Sequence, residues 1–335
     1  MRIHTVTAGL LALGLAIAGG QTTARGTDKT AEVLNGARKA IGDKKLDGLK
    51  SLSVNATLQR NVGNMQINSD VELLIELPDK YARSETTTGP VSGSNTTGFN
   101  GDKPLTRANS PMVGGGGGMI IRMGPGGGAF TGNGSDAKPT PEEQEKMNAA
   151  MLRSSRQELS RLMLGWFAMT HPSIKAEYSY AGEAESPDGK AYVIDAKNAD
   201  GFAARLFIDQ QTQLPLMLTY QGPQPRMITM GGPGGAAGGR QGAPAGGQGR
   251  AMTPPTEEER KKMREDMQKQ MADMEKEPPK MIEYTIYFDD WREEDGVKFP
   301  HTMRRASGGT TNEEWTITKV KVNPKIDAKK FAIES

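Results

Sequence analysis

The sequence predicts an α+β fold in which one strongly curved antiparallel sheet is covered by helices. Many short runs alternate apolar and polar residues, as strands with one buried face do. Turn residues such as Ser186-Pro-Asp-Gly189 and Glu293-Glu-Asp-Gly296 separate these runs. A few longer segments repeat apolar residues at helical spacing, and the sheet is the natural surface for them to cover.

Residues 1–18 have the layout of a cleavable secretory signal peptide. Arg2 comes before the apolar run Ala8 to Ala18, and Ala16-Ile17-Ala18 places small residues at the cleavage positions. We expect cleavage after Ala18, with a site near Ala24 as the alternative. The protein is therefore expected in the periplasm, exported and without a membrane-spanning segment, because no later stretch is long and apolar enough to span a bilayer.

A helix and a hairpin are predicted next. The helix runs from Asp28 to Leu49, closed by Gly42 or Gly48. Alternation from Leu52 to Leu58 and from Val71 to Leu77, joined by a turn at Gly63-Asn64, predicts two antiparallel strands.

Two further blocks of alternating residues predict the rest of the sheet. The expected strands are Ile174 to Ala181, Lys190 to Ala196, Phe202 to Asp209, Leu214 to Gln221, Met281 to Asp290, Val297 to Arg304 and Thr311 to Val322. A polar face on each strand is typical of an antiparallel sheet.

Two segments rich in glycine interrupt the strand pattern, Pro104 to Pro139 and Gly222 to Pro255. Neither offers enough apolar surface to offset the entropy of ordering it, so we expect both to be flexible inserts. A single domain over residues 27–335, with these two excursions, is the simplest organisation.

Each insert is followed by a predicted helix. Thr140 is a good N-cap for a helix that continues to about Met169. The second helix, residues 256–277, is highly charged, and its apolar positions are Met263, Met267, Met271 and Met274.

Composition excludes several functions. The chain has no cysteine, which removes thiolate metal sites, cysteine nucleophiles and a lipid anchor at the signal cleavage site. The 42 basic and 40 acidic residues nearly balance, so nucleic acid is not an expected partner. His171 and His301 show no metal-ligand or nucleophile–base spacing, so we predict no catalytic residues, no cofactor and no enzymatic activity.

The order of segments resembles the periplasmic outer-membrane lipoprotein carriers and their relatives, the LolA/LolB-like superfamily. The residues that carry the resemblance are Pro78-Asp-Lys-Tyr-Ala-Arg-Ser-Glu85, Thr97-Gly-Phe-Asn-Gly-Asp-Lys-Pro-Leu105, Lys319-Val-Lys-Val-Asn-Pro324 and Ile326-Asp-Ala-Lys-Lys-Phe331. The resemblance implies an unclosed half-barrel that holds acyl chains between the sheet and its helices. The chain departs from the carriers at Leu77, where they tend to hold a basic residue, and in its two inserts.

The working hypothesis is a binding or carrier protein for a lipid-like ligand such as lipoprotein acyl chains. Its expected ligand-binding residues are Val54, Ala56, Leu58, Val71, Leu73, Ile75, Leu216, Leu218, Tyr284, Ile286 and Phe288. One alternative is a copper-binding protein that uses Met263, Met267, Met271 and Met274, since thioethers bind Cu(I). Another is a non-catalytic interaction module that docks an envelope protein through helix 256–277.

Overall fold

The computed structural model describes residues 24–62, 65–87, 92–109, 120–123, 140–186, 189–224, 226–229 and 278–333, with single positions at 256, 258 and 262. The predicted signal peptide, most of both inserts and the methionine-rich helix lie outside the described residues.

Three helices and fourteen strands are described. The helices are α1 Ala24–Ile41, α2 Lys44–Asp47 and α3 Pro141–Phe167, with a short 3-10 helix at Ala328–Phe331. The strands of the first half are β1 Ser51–Val62, β2 Met65–Glu76, β3 Lys80–Thr87, β4 Gly93–Asn100, β5 Lys103–Asn109 and β6 Ile120–Met123. The strands of the second half are β7 Glu177–Ser186, β8 Gly189–Lys197, β9 Ala203–Asp209, β10 Pro215–Pro223, β11 Arg226–Thr229, β12 Met281–Glu294, β13 Val297–Ser307 and β14 Thr310–Val322.

Twelve of the described strands form one antiparallel sheet in the order β5-β4-β3-β2-β1-β14-β13-β12-β10-β9-β8-β7. Its two end strands, β5 and β7, are not paired with each other, so the sheet is open. Helix α3 contacts β4 and β5 near one end of this order and β9 and β10 near the other. The sheet must therefore curve around the helix, which confirms the predicted curved antiparallel fold.

The first and last strands of the chain meet at the middle of the sheet. Strand β1 pairs with β14, with Leu52 opposite Val322 and Arg60 opposite Glu313. Beyond the sheet, the Asn323 side chain accepts from the backbone N–H of Lys50 at 2.7 Å. This long-range pairing joins the hairpins of the two halves into one sheet.

The predicted first helix is interrupted. The segment Asp28 to Leu49 contains α1 and the short α2, because the chain turns at Gly42 and at Asp43, whose φ is +46°. The helix predicted to start at Thr140 is confirmed as α3. The Thr140 hydroxyl accepts a hydrogen bond from the backbone N–H of Glu143, and the Glu143 carboxylate accepts one from the backbone N–H of Thr140.

The inserts begin later than predicted. Residues 104–109 belong to strand β5, which pairs with β4, and Gly222 and Pro223 end strand β10. Within the inserts, β6 and β11 pair antiparallel as a separate two-stranded ladder. Backbone pairing thus extends into segments whose glycine content predicts no regular structure.

Candidate functional site

One face of the sheet carries the hydrophobic core, and we call it the concave face because α3 lies across it. Residues at every second position of β1, β2, β12 and β13 are buried there, as strand geometry requires. On α3, Leu159, Leu162, Met163, Trp166 and Phe167 are buried against this face.

Ten of the eleven predicted ligand-binding residues lie together on the concave face. They belong to one buried apolar cluster: Val54, Ala56, Leu58, Val71, Leu73, Ile75, Leu218, Tyr284, Ile286 and Phe288. Leu216 does not join them: it is 42% exposed, at a register shift between Pro215 and Met217 that interrupts the alternation of β10. The structure thus places ten of these residues on one buried face, and their role in ligand binding stays a prediction.

The C-terminal half of α3 is packed closely against the sheet. The Trp166 ring lies 4.8 Å from that of Phe299, and its Nε1 donates to Met303 Sδ at 3.2 Å. At Gly165 a Cβ atom would lie 2.0 Å from Cζ of Phe288, so this glycine allows the helix to approach β12. This half of the helix is an anchored part of the core.

The N-terminal half of α3, residues 141–157, has no fully buried residue. It contacts the sheet through Leu152, which packs against the core, and through polar and cation–π contacts such as Arg156 over Phe99. Arg156 donates to Asp102 at 2.8 Å, and Thr106 Oγ1 lies 3.7 Å from Met151 Sδ. One helix thus has a firmly packed end and a loosely held end.

Charged side chains also lie on the concave face, which was not predicted. We call them the buried charge cluster: Arg60, Arg83, Glu85, Glu158, Arg161, Arg305 and Glu313. Those on strands face the same side as the buried residues of the strand, because each lies an even number of residues from one. Arg60 comes two residues after Leu58, and Arg83 and Glu85 come two and four residues after Tyr81. If the alternation of each strand had been continued through its charged residues, the sequence would have placed these side chains on the same face as the buried apolar ones.

Two arginines of the cluster are each bound by two carboxylates. Arg83 donates to Glu158 at 2.6 Å and to Glu85 at 3.3 Å. Arg60 donates to Glu85 and to Glu313, each at 2.9 Å. These ion pairs satisfy groups that would be costly to bury alone.

Burial and charge act in opposite directions on Glu313. Burial raises the pKa of this carboxyl, but the neighbouring guanidinium groups of Arg305, Arg60 and Arg83 outweigh it, and the pKa falls to about 2. Glu313 is therefore ionised at neutral pH.

The two histidines are buried and have structural contacts. His171 Nδ1 accepts from the backbone N–H of Ser173 at 3.2 Å, and the ring lies edge-on to Phe99. Burial, with a smaller effect of Arg156, lowers the His171 pKa to about 4, so the ring is neutral at pH 7. His301 Nδ1 lies 3.0 Å from the carbonyl oxygen of Ile317.

In the described ranges, no three histidine or acidic side chains come together as a metal site requires. The methionines of the copper alternative, Met263, Met267, Met271 and Met274, lie outside the described residues, as does the helix of the interaction-module alternative. Every helix in the described part of the chain falls short of the length and apolarity of a membrane span.

A polar groove of about 290 Å³ lies on the convex face, over β2, β1 and β14. Its lining includes Thr57, Gln59, Asn68, Asp70 and Glu314. An apolar ligand would find little apolar surface there, so the concave face is the better candidate site.

No family model matches the sequence, and no curated protein matches it. The chain is similar in structure to a LolA superfamily protein from Nitrosomonas europaea, with 9% identity and a TM-score of 0.44 over 90% of this chain and 97% of that chain. It is also similar to a domain from Vibrio parahaemolyticus described as an outer membrane lipoprotein-sorting protein, with 8% identity and a TM-score of 0.39 over 91% of this chain and 96% of that chain. A DUF1329 family protein from Desulfovibrio piger has 8% identity and a TM-score of 0.39 over 90% of this chain and 97% of its own. These similarities are distant, and they say nothing of what this chain binds.

Proposed function

We propose that the protein is a non-catalytic carrier that holds a lipid-like ligand between the concave face and α3. The observation that supports this most directly is the division of α3 into an anchored half and a loosely held half above an apolar sheet face. Separating the loose half from β4 and β5 would open the apolar face at one side while the core around Trp166 stays intact.

The contacts that hold the loose half can be broken at small cost. The Arg156–Asp102 ion pair joins side chains that are 27% and 93% exposed, and such pairs contribute about 0–1 kcal/mol. The aromatic surface that contacts the loose half is Phe99, 5.7 Å from the Arg156 guanidinium. An acyl chain would gain about 0.8 kcal/mol for each methylene buried there.

The cellular part of the proposal is that residues 1–18 direct export and that the mature chain works in the periplasm. A carrier in that compartment would move its ligand between membranes by binding alone. Deleting residues 1–18 should leave the chain in the cytoplasm, as fractionation of the expressing cells would show.

An engineered disulfide between α3 and β5 tests whether this opening admits the ligand. The chain has no cysteine, so Thr106→Cys with Met151→Cys introduces a single pair whose side chains already touch. The oxidised variant should lose binding of a fluorescent dodecanoate probe, and reduction should restore it. Uptake is measured by fluorescence titration before and after adding reductant.

A second disulfide serves as the control. Glu185 and Lys190 lie opposite each other on β7 and β8, away from α3, so Glu185→Cys with Lys190→Cys should not affect probe binding. Equal uptake by the oxidised and reduced α3–β5 variant would refute the opening. Protein that emerges lipid-free from the envelope and takes up no acyl probe in any state would refute the carrier function itself.

A further inference from the structure

Two arginines of the buried charge cluster, Arg161 and Arg305, lie near Tyr220. The Arg161 guanidinium is 4.1 Å from the centre of the Tyr220 ring, and Arg305 is close enough to interact electrostatically with both Arg161 and Tyr220. They come from different elements, α3 and β13, and Tyr220 lies on β10. Their meeting point is the inner side of the sheet beside the last turns of α3.

Neither of these two arginines is within hydrogen-bonding distance of a carboxylate among the described residues. Among the described residues, the polar partner of Arg161 is the side-chain oxygen of Gln157, 3.3 Å from Nη2, and its buried Nε has no acceptor. Arg305 Nη1 lies 3.7 Å from Glu313, beyond hydrogen-bonding distance, while Glu313 accepts from Arg60 at 2.9 Å. By contrast, Arg60 and Arg83 each bind two carboxylates.

The charge balance of the cluster agrees with this difference. In the described part of the chain, four guanidinium groups face three carboxylates, which leaves one positive charge in excess. Burial lowers the pKa of Arg161, and the repulsion of Arg305 adds to that effect. Keeping such a cation away from water is unfavourable unless an anion compensates it.

We propose that Arg161, Arg305 and the Tyr220 hydroxyl form a binding site for a single oxyanion, a carboxylate or a phosphate. Guanidinium groups present planar, paired N–H donors that match the oxygens of these anions. The apolar residues Leu218 and Ile286 lie next to the site on the same face, so an acyl chain attached to the anion would run along the sheet. As a headgroup site it rests on the proposed carrier function, whereas binding of free phosphate would not.

The donor groups of the site are largely, but not fully, buried. The Arg305 side chain keeps 16% of its surface exposed, and neither Arg161 nor Gln157 is fully buried. The Arg161 guanidinium lies over the Tyr220 ring, and its Nε has no acceptor among the described residues. The geometry is thus that of a prepared donor pair rather than of a closed ion pair.

Three probes separate the headgroup from its chain: dodecyl phosphate, dodecanol and inorganic phosphate. Their affinities are measured by isothermal titration calorimetry on the mature chain. The wild-type protein should bind dodecyl phosphate at least about tenfold more tightly than dodecanol, since charge-assisted hydrogen bonds are roughly twice as strong as neutral ones. Arg161→Gln and Arg305→Gln should each remove most of this preference and leave dodecanol binding unchanged.

Two further variants on α3 control for charge and for folding. Arg153→Gln makes the same substitution at an exposed position of the same helix and should keep the wild-type preference. Arg161→Lys keeps the charge without the planar donors and should fall between the wild type and Arg161→Gln. Arg161→Gln should also melt at least as high as the wild type without ligand, because it removes an uncompensated cation.

The outcomes distinguish the two proposals. Equal binding of dodecyl phosphate and dodecanol, or an unchanged preference in both Arg→Gln variants, would overturn the anion site while the carrier function stands. Inorganic phosphate binding that depends on Arg161, with no binding of dodecanol, would support the anion site and count against the carrier. Binding of none of the three probes would overturn both.

Discussion

Arg83 shows how this protein keeps a charged residue on an apolar face. Its guanidinium donates to Glu158 and Glu85 and lies 4.9 Å from the centre of the Trp315 ring. Burial alone would lower the pKa of Arg83, but the two carboxylates outweigh burial and raise it. A charge can remain in such a position only while its partners stay in place.

The first prediction at this scale concerns Glu313. Glu313→Gln removes the carboxylate shared by Arg60 and Arg305, and we expect a loss of about 3–5 kcal/mol in the free energy of unfolding at pH 7. Because the folded pKa of Glu313 lies below its ordinary value of 4.5, its contribution is present above pH 4.5 and is lost as the pH falls towards about 2. The variant should therefore lose less stability than the wild type over this range.

Urea denaturation at a series of pH values measures both effects. Glu314→Gln is the matched control, since Glu314 is the next residue, exposed on the opposite face of β14. A Glu313→Gln protein with wild-type stability at pH 7 would show that the charge cluster does not depend on this carboxylate.

The sequence predicts residue positions on the sheet when the residues are apolar. Alternation predicted which apolar residues share a face, because burial of apolar side chains drives that pattern, and the structure buries ten of them together. Arg60, Arg83 and Glu313 occupy equally inward positions, but a charge on a strand is ordinarily solvated, so the pattern alone assigned them no role. Only the contacts between distant strands show that their partners meet.

At the scale of elements, α3 and the sheet depend on one close approach at Gly165. Gly165→Ala would place a methyl group within the Phe288 ring, so either the ring or the helix must move. We expect a loss of about 1–3 kcal/mol in the free energy of unfolding, as overpacked cores show. Thermal and urea denaturation measure it.

A second helical glycine provides the comparison. In α1, a Cβ at Gly36 would meet only the flexible end of the Gln213 side chain, at 2.7 Å. Gly36→Ala should therefore be neutral or stabilising by up to about 1 kcal/mol, because alanine has the higher helix propensity. Equal effects of the two substitutions would mean that the contact between α3 and β12 does not limit packing.

Element boundaries were predictable where local chemistry sets them. Thr140 and Glu143 determine the start of α3, and both are visible in the sequence. Strand β5 was not predicted, because its backbone hydrogen bonds are formed with β4. The glycine-rich residues that follow β5 also led to the prediction that the insert begins at Pro104, inside the strand. The break at Asp43 requires a left-handed backbone that its residue type permits but does not demand.

At the scale of the whole molecule, the second insert leaves and re-enters the sheet at adjacent points. Pro223 pairs with Met281, and the Gln224 backbone N–H donates to the Lys280 carbonyl at 2.7 Å. Strands β10 and β12 thus pair as the two arms of one hairpin, with residues 225–279 between them in the sequence. The order of all twelve strands could not be derived from the sequence, because the β1–β14 pairing joins distant ends of the chain.

We predict that replacing residues 225–279 with Asn-Gly leaves cooperative unfolding nearly unchanged. Loop closure entropy depends weakly on length, about 0.6 kcal/mol for each doubling, and a two-residue turn suits an antiparallel hairpin. The urea midpoint measures the effect. Replacing residues 221–283 instead also removes the paired ends of β10 and β12 and should cost much more.

A loss of folding in the shorter deletion would mean that the insert contributes to the core. The two-stranded ladder of β6 and β11 would then have to contribute more to the free energy of unfolding than four paired residues on each strand usually do.

The open sheet leaves two strand edges that another molecule could extend, a common route to aggregation. At the β7 edge, a bulge at Tyr180 breaks the ladder, and the Tyr180 N–H donates at 2.8 Å to the Thr30 hydroxyl of α1 rather than to a foreign strand. The exposed Glu177, Glu183 and Glu185 surround this point with negative charge. At the β5 edge, Pro104 lacks a donor. The open edges that the proposed ligand entry depends on are thus protected against pairing with other copies of the chain.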